Sequence, residues 1–223
     1  TTLTAKNLPN AVSVIAVAEK GNLLQAPDTY MEKIAIGPGY PENIIDLDNP
    51  VEKNIKNMAE FKSIKTSELT VCLLERDRHN KIIKTLKKLN IKIKFISDGD
   101  VIGAIYTCQE NFDVDIYMGI GGAPEGVLAA AAIKCYDGQF QGRLVITSND
   151  EKLRATKLGI KDFTKKYYLN DLVKGDVIFC AAGVTDGELL KGIKINKKFF
   201  SSEILALHLQ DNTRKIIKEQ FEI

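Results

Sequence analysis

The segment at about residues 70–135 constrains the fold most, because short apolar runs alternate there with runs of helical spacing. Residues 71–74, 91–95 and 114–118 have the composition of strands, and each is followed by apolar residues spaced as in a helix. A β-α-β-α-β-α order predicts a parallel sheet with crossover helices. The predicted fold class is therefore α/β.

The flanking regions add further elements of the same kinds. We predict strands at 11–18 and 30–36 near one edge of a sheet, a helix at 51–61, and later strands at 176–182 and 204–209. The sequence shows no internal repeat and no linker rich in Pro, Gly or Ser. One compact α/β region, divisible into two subdomains, is the simplest interpretation.

The composition argues against several classes of protein. Lys and Arg number 31 against 29 Asp and Glu, a net charge of +2, which argues against a nucleic-acid partner. No apolar run approaches the roughly 18 residues of a membrane helix, so no membrane partner is expected. No Cys-x-x-Cys pair occurs, which argues against a zinc ribbon or a thioredoxin-type site. The cysteines lie in apolar stretches, which favours buried, reduced thiols, and no signal peptide is visible, so a cytoplasmic location is expected. The four cysteines are Cys72, Cys108, Cys135 and Cys180.

The predicted parallel strands end in segments that suit a ligand. Ligands of open α/β sheets bind beyond the carboxyl ends of the strands. Here those ends are polar or rich in glycine, at residues 75–79, 97–100 and 119–126. Because the carboxyl ends of parallel strands lie at one edge of a sheet, we expect the three segments to converge on one binding site.

Two arginines follow the first of these strands. Arg76 and Arg78 point the same way if the backbone stays extended, and two guanidinium groups suit a phosphate. The alternative is a solvated loop in which Asp77 pairs with the arginines.

Two carboxylates follow the second strand. Asp98 and Asp100 flank Gly99, and together they could bind sugar hydroxyls or a hard metal ion. Asp100 could also cap the helix that begins after it. Capping and ligand binding are compatible, so both interpretations are kept.

Residues 119–126 predict a junction of strand, glycine loop and helix, where backbone amides and a helix N-terminus favour an anion. The glycine spacing matches neither a dinucleotide fingerprint nor a P-loop. Glu125 either complements the helix dipole or ligates a metal beside a bound phosphate. Of the two histidines, His208 is expected to be structural and His79 is a minor site candidate.

The motifs at these strand ends resemble those of the class II fructose-1,6-bisphosphatases, the GlpX type, in the lithium-sensitive phosphatase superfamily. The resemblance rests on Gly-Ile-Gly-Gly-Ala-Pro-Glu-Gly-Val at 119–127, Ala-Pro-Asp-Thr-Tyr-Met-Glu-Lys at 26–33, Asp-Gly-Asp at 98–100, and Gly-Val-Thr-Asp-Gly at 183–187 with Leu-Leu-Lys-Gly at 189–192. The matches keep the family's order through nearly the whole chain. They imply a layered α/β sandwich of the sugar phosphatase type.

The resemblance also implies an activity and a set of site residues. The family hydrolyses fructose 1,6-bisphosphate to fructose 6-phosphate and phosphate, a step of gluconeogenesis, with Mg²⁺ or Mn²⁺, and some members also take sedoheptulose 1,7-bisphosphate. Glu125 is implied as a metal ligand. Asp77 stands where the family often has Pro, which adds a charge and changes the local geometry. The implied substrate contacts are Thr1, Tyr30, Arg76, Asp77, Arg78, Asp98, Gly99, Asp100 and Gly122.

The resemblance makes Thr1 the residue that closes the family's Asp-Pro-x-x-Gly-Thr motif, where it is implied to be catalytic by helping to activate the attacking water. The acids that precede it in the family have no counterpart in the sequence, which resembles the C-terminal part of the enzyme. The implied domains are 1–69, the remainder of an N-terminal metal-site subdomain, and 70–223, a C-terminal α/β sugar-phosphate-binding subdomain. The chain alone is expected to have negligible activity and to associate, with a homo-oligomer or a separate N-terminal fragment as partner.

Three hypotheses follow. The first is a sugar-bisphosphate phosphatase, and the second is a non-enzymatic sugar-phosphate-binding fragment that cannot assemble the metal site. The third, a structural subunit with the same fold, leaves the clustered strand-end motifs unexplained. The choice of metal, the choice between fructose and sedoheptulose bisphosphate, and the oligomeric state stay open at this level.

Overall fold

The structure, a computed structural model, describes residues 2–222. Its helices are α1 (Thr2–Ala5), α2 (Val51–Lys62), α3 (Asn80–Lys88), α4 (Asp100–Tyr106), α5 (Ala123–Cys135), α6 (Asn149–Lys157) and α7 (Leu169–Leu172). Its strands are β1 (Val12–Ala18), β2 (Tyr30–Ile36), β3 (Thr70–Leu74), β4 (Lys92–Ile96), β5 (Ile116–Gly122), β6 (Gln139–Val145), β7 (Lys166–Tyr168), β8 (Val177–Gly183), β9 (Lys194–Ile195), β10 (Phe199–His208) and β11 (Thr213–Glu222).

A six-stranded sheet has the order β4-β3-β5-β2-β6-β7. Strands β3, β4 and β5 are parallel and are connected through α3 and α4, which confirms the predicted β-α-β-α-β-α unit. Strand β2 runs antiparallel between β5 and β6. It therefore lies inside this sheet.

A five-stranded antiparallel sheet has the order β1-β8-β10-β11, with β9 paired to β10. Strand β1 lies at its edge. The prediction that the first two strands are neighbours at one sheet edge is wrong, because β1 and β2 belong to different sheets. Both strands pair with segments far along the chain, which local composition does not specify.

The two sheets enclose α4 and α5, and α2 and α3 cover the other face of the six-stranded sheet. Helix α5 is buried on nearly all sides, which is unusual for a helix and explains its composition. Four consecutive alanines, Ala129 to Ala132, let both sheets approach it closely. The layered α/β sandwich is thus confirmed.

The opposite face of the five-stranded sheet is apolar and accessible in the described part of the chain. Ile15 is 58%, Val17 51% and Ile178 40% exposed. In the strand register Val17 pairs with Ile178 and Ile15 with Cys180, and Ile204 lies on the same face, paired with Ala182. We call these five residues the outer apolar face.

Both sheets contain strands from either side of residue 69. The parts 1–69 and 70–223 are therefore not separate units of the fold, and their assignment to a metal-site part and a sugar-phosphate-binding part stays a prediction. Within the described range, no helix combines the length and apolar character needed to cross a membrane. All four cysteines are free thiols, and burial raises the pKa of Cys72 to about 12.

Replacing Ala130 by Leu should destabilise the fold, because its methyl group is fully buried between the two sheets. Overpacking of this kind costs about 1–3 kcal/mol. Urea unfolding followed by circular dichroism gives the loss in free energy of unfolding. Ala5→Leu, on an exposed helical position, is the matched control and should change it by under about 0.5 kcal/mol. Equal effects of the two substitutions would contradict the sandwiched position of α5.

Candidate active site

The strand order places a ligand crevice between β3 and β5. The chain leaves β3 toward β4 on one side and returns to β5 on the other, so the order reverses there. Strand β2 is antiparallel, and its first residue, Tyr30, pairs with Gly122 at the end of β5. The carboxyl ends of three strands and the amino end of a fourth therefore meet at one edge.

Arg78 and Tyr30 form the cationic side of this edge. The guanidinium carbon of Arg78 lies 4.9 Å from the centroid of the Tyr30 ring. Its Nε donates a 2.9 Å hydrogen bond to the carbonyl of Ile120 in β5. These two contacts hold the guanidinium at the crevice, where its remaining donors can reach an anion.

The buried side chain of His79 contacts the same residue of β5, Ile120. Its Nδ1 lies 2.7 Å from the carbonyl of Leu74 and its Nε2 lies 2.8 Å from the amide of Ile120. A carbonyl only accepts and an amide only donates, so the imidazole is neutral with its proton on Nδ1. A Cβ at Gly119 would lie 3.0 Å from the imidazole, which explains glycine there, at φ 144°.

Three carboxylates form the anionic side. Asp98, Asp100 and Glu125 line a pocket of about 190 Å³, which Leu3 and Thr4 of α1 also border. Desolvation and the neighbouring Asp100 carboxylate raise the pKa of Glu125. Such crowding of carboxylates is relieved by a cation, and oxygen donors suit Mg²⁺ or Mn²⁺.

Asp100 does not cap α4, contrary to one of the two sequence interpretations. The helix begins at Asp100 itself, Gly99 takes the capping position, and no side chain closes the cap. The Asp100 carboxylate instead forms a buried ion pair with Lys33 of β2. Its orientation is therefore set by the sheet.

The predicted glycine loop before α5 is also wrong in detail. Gly119, Gly121 and Gly122 are part of β5, and α5 begins directly after them. These glycines allow close approach: a Cβ at Gly121 would overlap Asp100 Oδ2, and one at Gly122 would lie 2.7 Å from Glu125 Oε2. They pack the carboxylates against the sheet.

Comparison with known proteins agrees with this geometry. Residues 1–221 match the family described as bacterial fructose-1,6-bisphosphatase, glpX-encoded. This chain belongs to that family. It is 38% identical over 232 residues to fructose-1,6-bisphosphatase 1 class 2 of Escherichia coli strain K12, covering 98% of this chain and 68% of the relative. The class 2 enzymes of E. coli O6:H1 and Shigella flexneri give the same identity and coverage.

The structure brings together most of the residues that the resemblance to the glpX-encoded family implies. One edge of the six-stranded sheet holds Tyr30, Arg78, Asp98, Gly99, Asp100, Gly122 and Glu125. Thr1 lies outside the described residues. Substrate and metal contacts at all these positions stay predictions.

Arg76 and Asp77 face elsewhere. The chain forms a 3-10 turn at Asp77–His79, so the extended backbone needed to align the two arginines is absent. Arg76 donates to the carbonyl of Glu75 and lines, with Asp77 and Phe95, a separate groove of about 420 Å³. The Arg76-Asp77-Arg78 segment therefore does not place both arginine side chains in one crevice.

The glycine-rich segment after β8 has a structural role. Thr185 Oγ1 accepts from the amide of Ala11 and donates to the carbonyl of Leu8. Asn10 accepts from the amide of Glu188. The family motif at 183–187 thus fixes the turn that leads into β1, next to the pocket.

Sequence reasoning missed Lys33 and undervalued His79. A lysine inside a strand reads as solvent-facing, and only the non-local pairing of β2 with β5 and β6 buries it. For His79, the apolar strand before it and the glycines of β5 were the available signal. A cavity of about 440 Å³ lined by Lys62 and Asp115, at the amino ends of β3 and β5, contains none of the predicted site residues.

Among residues 2–222, no three His, Cys, Asp or Glu side chains are grouped so that they could hold a metal ion. Glu125, the predicted metal ligand, would therefore need further ligands to bind a divalent cation of six oxygen neighbours.

The two histidines should give opposite pH dependences of stability. Burial, with Arg78 nearby, lowers the pKa of His79 from 6.5, so its folded form resists protonation. The contribution of His79 to the free energy of unfolding is therefore fully present above about pH 6.5. It is lost as the pH falls toward the lowered pKa of the folded state. In His79→Asn, the free energy of unfolding should therefore fall less than in the wild type between about pH 7 and 5, as measured by urea unfolding.

His208→Asn is the matched control for this experiment. Hydrogen bonds that His208 donates to the carboxylates of Asp176 and Asp211 raise its pKa from 6.5. Its contribution is present below about pH 6.5 and is lost as the pH rises through the raised pKa. The loss in free energy of unfolding of His208→Asn, relative to the wild type, should therefore shrink as the pH rises. If the free energy of unfolding of His79→Asn runs parallel to that of the wild type between about pH 7 and 5, the neutral, buried state of His79 is refuted.

Proposed function

We propose that this chain carries the sugar-phosphate site of a metal-dependent fructose-1,6-bisphosphatase. The observation that supports this most is one sheet edge that carries both Arg78, stacked over Tyr30, and a pocket lined by three carboxylates, in a chain of the glpX-encoded family. The reaction is hydrolysis of fructose 1,6-bisphosphate to fructose 6-phosphate and phosphate. The non-enzymatic alternative is not favoured, because 98% of this chain aligns with relatives that are named as fructose-1,6-bisphosphatases.

The side chains have distinct proposed roles. Arg78, held over Tyr30, binds the phosphate that is not cleaved. Asp98 and Asp100 accept hydrogen bonds from sugar hydroxyls and so fix the ring relative to the scissile phosphate. Gly122 lets the ligand approach the end of β5. Arg76 and Asp77 contribute only from the neighbouring groove.

The proposed metal is Mn²⁺ or Mg²⁺, held in part by Glu125. Enzymes of this family depend on a metal in general. A bound divalent cation neutralises phosphate charge and lowers the pKa of a coordinated water. Thr1, outside the described residues, is proposed to orient the attacking water. Sedoheptulose 1,7-bisphosphate is a second proposed substrate, because the resemblance to the family implies it.

The active form is proposed to include further polypeptide in the cytoplasm. The accessible outer apolar face supports association. Strand β1, at the sheet edge beside this face, carries no charged residue, whereas the opposite edge strand β11 is highly charged. A homo-oligomer is the first proposed partner, and a separate N-terminal fragment is the second.

Arg78→Ala should raise KM for fructose 1,6-bisphosphate by about tenfold or more and change kcat little, since uniform binding is lost. Steady-state release of phosphate by the active assembly measures this. Arg214→Ala, whose guanidinium pairs with Asp137 away from the pocket, is the matched control. A large fall in kcat at unchanged KM would show that Arg78 acts on the chemical step.

Glu125→Gln should weaken Mn²⁺ binding by about tenfold, because the amide keeps the shape and removes the charge. Mn²⁺ electron paramagnetic resonance on the protein reports free metal without any need for turnover. Turnover should also fall strongly and recover in part at high Mn²⁺. The control Glu110→Gln, in the cavity beside Lys62, should leave the metal affinity unchanged. Equal Mn²⁺ affinity of wild type and Glu125→Gln would remove Glu125 as a ligand.

The outer apolar face should drive association of the isolated chain. Ile15→Lys should reduce the weight-average mass seen in sedimentation velocity, because a charge on this face opposes its burial. Phe61→Lys changes an apolar residue that is 51% exposed on another surface and is the control. If both proteins sediment as the wild type does, the face is not an interface.

A further inference from the structure

Lys33 is a buried cation to which the family resemblance assigns no role. Its side chain is 1% exposed in the middle of β2, and its ammonium group pairs with Asp100, which is 3% exposed. Removing two charges from water costs several kcal/mol per ion, and a buried pair often stabilises no more than apolar side chains would. Stability alone is therefore a poor reason for this lysine.

Glycines keep the space that Lys33 occupies. A Cβ at Gly121 would lie 3.1 Å from Lys33 Nζ, and one at Gly126 would lie 3.1 Å from Lys33 Cε. Two separate segments, β5 and α5, thus omit a side chain beside this lysine and leave room for its stem.

Lys33 reaches Asp100 from the side of the sheet. Asp98, Asp100 and Glu125 line the pocket, and Lys33 does not. The ammonium group therefore restrains the carboxylate without entering the space for a ligand. The pair Lys62–Asp115 differs, because Lys62 is 36% exposed and lines a different cavity.

We propose that Lys33 is a positioning residue that fixes the Asp100 carboxylate at the floor of the pocket, ready to accept a hydrogen bond from a sugar hydroxyl. The inference rests on the proposed function of this site. A carboxylate that is already held in its bound orientation loses little conformational entropy when the sugar binds. The ion pair with Lys33 should therefore increase the affinity for the sugar. Lys33 itself does not touch the substrate.

The test is calorimetric titration of fructose 6-phosphate into the full chain without metal. Lys33→Met keeps the length of the side chain and removes its charge. We expect it to weaken binding about tenfold, the effect of one hydrogen bond to a charged group. Asp100→Asn should weaken binding similarly, and the double variant should bind no more weakly than Asp100→Asn alone, because Lys33 acts only through Asp100.

Two further variants separate positioning from folding. Lys62→Met breaks the other buried-carboxylate pair and should lower stability while leaving the affinity for fructose 6-phosphate unchanged. Lys33→Gln retains a donor for Asp100 and should recover part of the affinity, including where Lys33→Met folds poorly. Wild-type affinity in Lys33→Gln and Lys33→Met, or additive losses in the double variant, would overturn the role of Lys33 alone. Absence of binding by the wild type would overturn the proposed function and this inference with it.

Discussion

The burial of α5 between two sheets is the constraint on which the rest of the molecule depends. A helix that meets sheets on both sides has little room for large side chains where the sheets approach most closely, and the alanines of α5 set that distance. Its N-terminus is fixed in turn at the end of β5. The packing of the α5 alanines between the sheets thus determines that Glu125, in the first turn of α5, lies beside the crevice between β3 and β5.

Charge at the site follows from that packing. The glycines at the end of β5 bring Asp100 and Glu125 close together, and burial together with the Asp100 carboxylate raises the pKa of Glu125. Lys33 opposes this increase from within the sheet. Carboxylates line the pocket and the Arg78 guanidinium lies at the same sheet edge, which suits a ligand with hydroxyls, phosphate and a bound cation.

Local patterns in the sequence predicted the elements well because period-2 and helical spacings are written in consecutive residues. They predicted β3, α3, β4, α4, β5 and α5, with the three strands parallel. They did not predict that β1 and β2 separate into two sheets, since that depends on partners more than a hundred residues away. The same limit hid Lys33, whose burial exists only after β2 has entered its sheet. Arg76 was misjudged because one 3-10 turn rotates it away from Arg78.

The two hydrogen bonds of Ile120 that support the site use its backbone and not its side chain. Its amide donates to His79 and its carbonyl accepts from Arg78, so one peptide group links the buried imidazole to the guanidinium at the rim. Every non-proline residue has the same peptide group. The identity of the side chain at 120 is consequently free to drift over evolutionary time, while a proline there, or a change in the backbone angle of Gly119, would disconnect the two.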